Sequence, residues 1–132
     1  MSTTPMTNHR LGEIVREHAD TMHQDEAGRW QFDYIGFQLI VLTDETNNRM
    51  RVISPIANIE GMDEALLLEC LSANFDRALD ARYATSGGIL WSAFIHPLSE
   101  LSEQQVVAAI NQVARLSTTF GTTFTSTDLS FG

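Results

Sequence analysis

Four histidines, one cysteine and three adjacent carboxylate pairs are the side chains of this sequence with the chemistry to hold a metal or move a proton. His18 and His23 stand five residues apart, so on one helix they point to different sides and cannot grip the same ion. His9 and His96 are scattered away from the other histidines. The pairs Asp25-Glu26, Asp44-Glu45 and Asp63-Glu64 each fall where a turn or a helix cap is expected, and the twelve-residue calcium-loop spacing is absent. Cys70 lies inside a leucine-rich stretch with Glu69 beside it, and a neighbouring negative charge raises a thiol pKa. It reads as a packing residue. There is no G-x-S-x-G elbow, no H-E-x-x-H pair and no G-x-G-x-x-G turn. No residue is therefore assigned to catalysis or to a metal, no cofactor is expected, and the protein reads as a non-enzyme.

Composition narrows the partners. The chain has 132 residues, 43% of them hydrophobic, which is the size and content of one domain with a real core. Seventeen acids against eight bases give a net charge of −9, and every base is arginine. Without lysine there is no Schiff-base chemistry and no phosphate-loop lysine. An acidic surface repels phosphate backbones and anionic headgroups, so neither nucleic acid nor membrane is an expected partner. Arg49 and Arg51 share a strand face, but two arginines among so many acids read as internal ion pairing. The single cysteine rules out an intramolecular disulfide. The longest apolar run, Val106 to Ile110, is far too short to span a bilayer, and no leader pattern opens the chain. A cytoplasmic location is the expectation.

The elements follow from periodicity. Leu11, Ile14, Val15, His18 and Met22 recur at helical spacing after a cap at Asn8, predicting a helix over 8–23. From Trp30 the period becomes two, and strands are expected through Ile53, with Gly36 marking a bulge or a tight turn. Asp63 opens a second helix over 63–80, whose core face is expected to be Leu67, Leu68, Leu71, Phe75, Ala78 and Leu79. Leu66, Cys70 and Ala73 remain as a second, narrower apolar strip on the same helix. Gly87-Gly88 between two alternating segments is a hairpin signal. Ser102 with Gln105 forms a capping box at the start of a third helix over 103–120, which Gly121 can end. The whole is an α+β domain of residues 1–132, with an antiparallel sheet of about five strands, three packed helices, and loose ends at 1–7 and 122–132.

The stretch from Leu66 to Leu116 carries a resemblance. It runs through a leucine-rich helix LLLECLSANF, a strand and glycine turn ARYATSGGILW, a strand ending in proline, SAFIHPL, and a link SELSEQQ into the helix VVAAINQVARL. With the preceding hairpin FQLIVLTDETNNRMRVISPI it resembles the class I type III secretion chaperones and the related YbjN family of bacterial proteins. The resemblance implies a homodimer without enzymatic activity that holds an extended segment of another protein along apolar patches. On that basis Leu66, Cys70 and Ala73 are candidates for the dimer interface. Trp30, Phe32, Phe37 and Leu39 are candidates for partner binding, although aromatic residues in alternating strands also read as core. A strip beneath a neighbouring loop, a dimeric regulatory or scaffold protein without peptide cargo, and a small enzyme are the alternatives.

Overall fold

The structure, a computed structural model, describes residues 4–126. Along the chain run α1 (Asn8–His18), β1 (Thr21–Glu26), β2 (Arg29–Tyr34), β3 (Phe37–Asp44), β4 (Arg49–Asn58), α2 (Glu64–Asp76), β5 (Arg82–Ser86), β6 (Ile89–Pro97) and α3 (Glu103–Thr119). All strand pairs are antiparallel, in the order β1-β2-β3-β4-β6-β5. The α+β architecture is the expected one, with six strands in place of about five.

The extra strand comes from the end of the expected first helix. Thr7 is the actual N-cap, its hydroxyl accepting from the Arg10 amide, and the helix ends at His18. Met22 continues the helical spacing and so hides the break, yet it reaches the core from a strand. Thr21 to Gln24 pair with Asp33 to Trp30, and a bulge at Asp25 separates them from the Glu26–Arg29 pair. Gly36 belongs to a two-residue turn shared with Ile35, both at positive φ. Gly87 and Gly88, also at positive φ, close the β5–β6 hairpin, a conformation glycine adopts without steric cost.

One face of the sheet carries the core. Trp30, Phe32, Leu39, Val41, Met50, Val52, Leu90 and Phe94 alternate onto it. Leu11, Ile14 and Val15 of α1 and Val106, Ile110, Val113 and Leu116 of α3 cover it. Each fully buried aliphatic side chain contributes about 2 kcal/mol against exposure. The capping box at Ser102 and Gln105 is present with both of its hydrogen bonds.

Two expectations are corrected. The ends expected to be loose are anchored at single residues: Met6 is buried, and so are Phe124 and Ser126, while Thr4, Pro5, Thr122 and Thr123 are exposed. Phe120 and Phe124 stand edge-on to Tyr83, and the Ser126 hydroxyl accepts from the Leu79 amide at 2.7 Å. Residues 1–3 and 127–132 lie outside the described residues. The faces of α2 are also largely exchanged, although Leu67 of the expected core face does pack against the core. Cys70 and Ala73 are its buried residues, while Leu68, Leu71 and Phe75 of the expected core face are 56%, 64% and 91% exposed, and Leu79 beyond the helix is exposed too. Small side chains let α2 approach β5 and the Tyr83 cluster closely, and the larger leucines are left outside.

Candidate functional site

The chemistry-bearing residues stay apart. His9 lies near Glu13 at 3.7 Å, His23 near Asp25 at 3.1 Å, His18 Nδ1 bonds to the Ile14 carbonyl, and His96 Nδ1 to that of Pro97. The carboxylate pairs serve local structure. Asp25 accepts from Arg29 and Gln31, and the Asp63 carboxylate caps α2. The Asp44 carboxyl is held below its usual pKa by hydrogen bonds from the Asn47 side chain and amide. Burial pushes the Cys70 thiol up to about 11, with Glu69 adding to the effect. Among the described residues no three His, Cys, Asp or Glu side chains gather as a metal site would require. No helix among the described residues is long and apolar enough to cross a membrane.

The sheet edges are where this molecule has unused binding capacity. The two-residue turn at Ile35-Gly36 makes Tyr34 and Phe37 a hydrogen-bonded pair. Alternation then points the main chains of Arg29, Gln31 and Asp33 toward β1. Their partners Thr21 and His23 point back, so the main-chain groups of Met22 and Gln24 face outward along an edge that no other strand among the described residues covers. Beneath this edge, between α1 and the β1–β2 hairpin, lies a hollow of about 270 Å³. Asn8, Glu13 and Gln24 stand at its rim and Trp30 lines it. Gly12 makes that arrangement possible, since a Cβ there would stand 3.1 Å from the Trp30 indole nitrogen.

The opposite edge is closed at its centre. On β5, the Tyr83 amide donates to Asn74 Oδ1 at 2.8 Å, and Asn74 Nδ2 donates to the Tyr83 carbonyl at 3.0 Å. A single side chain from α2 thus takes the place of a neighbouring strand at that residue. Asn74 carries no sequence signal for this role, because the pairing depends on how α2 docks.

The expected partner-binding residues fall differently from the expectation. Phe32 and Leu39 are sealed in the core beneath the helices, Trp30 is buried and lines the hollow, and Phe37 is half-buried. The expected interface residues Cys70 and Ala73 are likewise buried inside the single chain, and Leu66 is half-buried at the margin. What α2 presents outward is Leu68, Leu71 and Phe75, spaced three and four apart on one stripe. The second face of the sheet adds Ile95, 56% exposed, beside half-buried Leu42, Ile53, Trp91 and Ala93. Scattered exposed apolar residues need no explanation, but contiguous ones mark a contact surface.

No protein-family model and no curated protein matches the sequence. Solved structures do match in fold. The HopA1–SchA chaperone–effector complex aligns with a TM-score of 0.63 at 14% identity, over 83% of this chain and 88% of the other. The ExsC–ExsE complex gives 0.62 at 11% identity, over 87% and 96%. The Yersinia pestis type III secretion chaperone SycH, in complex with a stable fragment of YscM2, gives 0.62 at 13% identity, over 86% and 98%. The chain therefore has the fold of type III secretion chaperones along most of its length.

Proposed function

We propose that this chain is a non-enzymatic, chaperone-like module that holds an extended segment of a partner protein and acts as a homodimer joined through α2. The observation that carries the reading is the bare β1 edge above the Trp30-lined hollow, in a fold whose matched structures are complexes with a second protein. An extended segment pairing with Met22 and Gln24 would gain main-chain hydrogen bonds from the edge and side-chain contacts from the hollow. The Asn74 closure of β5 supports β1 as the edge that takes it. The homodimer reading moves from Cys70 and Ala73 to the outward stripe of Leu68, Leu71 and Phe75, a surface that meets its own copy across a two-fold axis.

The test joins affinity purification from the native host with hydrogen exchange on the purified complex. One dominant protein partner and slowed exchange at the Met22 and Gln24 amides are expected. Gln24→Pro, which removes an outward N–H from an exposed residue, should abolish the complex and leave the fold intact. A complex that survives Gln24→Pro, with protection elsewhere, overturns the β1 assignment. A dimer with no protein cargo points to the regulatory or scaffold reading. Light scattering checks the dimer, which Phe75→Glu should split into folded monomers.

A further inference from the structure

The sheet carries a gap in its last strand that none of the roles above uses. β6 extends to Pro97, but β5 begins only at Arg82, opposite Ala93. The glycine turn makes Ser86 and Ile89 a hydrogen-bonded pair, and alternation then turns Trp91, Ala93 and Ile95 toward the β5 side. The Asn74–Tyr83 bonds confirm that parity independently, since they show Tyr83 facing away from β6. Beyond Ala93 no strand among the described residues meets the Ile95 amide and carbonyl. The gap is built by Gln112 of α3, a buried side chain whose Oε1 accepts the amides of Asp80 at 2.8 Å and Ala81 at 2.9 Å. Those two bonds pull the chain off the line that β5 would otherwise continue.

A hollow of about 300 Å³ fills the space this leaves, bounded by Asp80 and Arg82, by Phe94, Ile95 and His96, and by Gln105 and Ala108 of α3. Phe94 lies on the helix-covered face, so Ile95, whose side chain points to the other face, meets the hollow with its main chain. Arg82 stands beside it. Its Nη1 donates to the Leu79 and Ala81 carbonyls, which fixes the guanidinium, and among the described residues it has no ion-pair partner. Asp80 is engaged by Gln112 Nε2 at 3.2 Å.

We propose that this notch is a second peptide-binding site, taking a short extended segment of a partner protein that pairs with the Ile95 main chain and sets a carboxylate on Arg82. A paired amide and carbonyl on an open strand line recognise an extended backbone. The fixed guanidinium, with donors left over, recognises an acidic side chain. The source of the segment rests on the partner-binding reading; the site itself does not.

The experiment uses the full chain, labelled with nitrogen-15 and titrated with the synthetic peptide acetyl-Thr-Val-Asp-Val-Thr-amide and its asparagine counterpart. The Ile95 amide should shift and slow its exchange with the aspartate peptide, and the asparagine peptide should bind about tenfold more weakly. Arg82→Gln should erase that tenfold preference. Ala108→Trp, at an exposed position, should block both peptides by filling the hollow. Shifts confined to Met22 and Gln24 would overturn the notch and leave the β1 reading standing. No shift at Ile95, or equal affinity for the two peptides, also overturns it. So does an Ile95 amide already protected in the free chain, whether released by deleting residues 127–132 or by dilution, because the chain's own tail or a second copy would then own the notch.

Discussion

Ile35 sits at the first position of the β2–β3 turn with a φ of 44° and half of its surface exposed. A β-branched side chain in the left-handed region costs about 1–2 kcal/mol, and exposure returns little of it through packing. Ile35→Asn, which tolerates that conformation, should therefore raise stability by about 1 kcal/mol, read as a higher midpoint in urea unfolding. A lower midpoint would mean that the isoleucine side chain holds something the turn needs. Cys70 makes the second prediction at this scale. Its thiol is raised from 9.0 to about 11, mainly by burial. Above pH 9 the unfolded chain loses this proton while the folded chain keeps it, so the thiol's contribution to stability should be lost as pH rises from 9 toward 11, and the Tyr83 hydroxyl, also raised by burial, carries the fall further. Cys70→Ser should flatten that part of the stability profile. At pH 8 a thiol reagent should label Cys70 in denaturant and spare it in the native chain.

At the scale of the element, α2 decides most. Ala73 is fully buried against the β5 side, so Ala73→Arg should cost more than about 3 kcal/mol and disturb folding, whereas Phe75→Glu on the outer stripe should not. Denaturant unfolding of the two variants separates them. Asn74→Leu leaves the Tyr83 amide and carbonyl without their partner, which should cost about 1–3 kcal/mol and expose an edge that promotes aggregation. The same helix shows where sequence reading reaches its limit. α3 and the β5–β6 hairpin were legible because a capping box and a glycine pair each act locally, within a few residues of the structure they specify. α2 is apolar on both sides, so periodicity marks it as a helix without saying which side goes in. That is settled by side-chain size against Tyr83 and Phe124, which are distant in sequence. β1 was illegible for a related reason: Thr21 to Glu26 is exposed along almost its whole length and has no alternation to reveal it.

For the whole molecule, charge and surface act together. Two copies that each carry −9 repel one another, and salt screens repulsion between exposed charges over about 10 Å at 0.1 M. Self-association through the outer face of α2 should accordingly tighten as sodium chloride rises from about 20 mM to about 0.5 M, measured by sedimentation. A dimer that weakens with salt would instead be held by ion pairs. The candidate sites were less legible than the fold. Trp30 and Phe37 lie on β2 and β3, beside the proposed β1 edge, but strand edges bind through backbone groups, and no residue type announces an unpaired amide. Gln112 is the clearest case, since an ordinary glutamine opens the β6 gap only because α3 brings it beside residues 80 and 81.

The position of α3 in the chain has a consequence for how the protein is made. α3 covers β3, β4, β5 and β6, and of the described helices it is the last to leave the ribosome. The first four strands form a meander of neighbouring hairpins that can assemble as soon as residue 58 emerges. The inner faces of β3 and β4, with Leu39, Val41, Met50 and Val52, must then wait without α3 for at least 45 further residues of synthesis, until Glu103 begins the helix that packs on them, while α1 already lies over β2. At about 5–20 residues per second that wait lasts several seconds. Through that interval the nascent chain displays apolar surface of the very kind that a chaperone exists to shield.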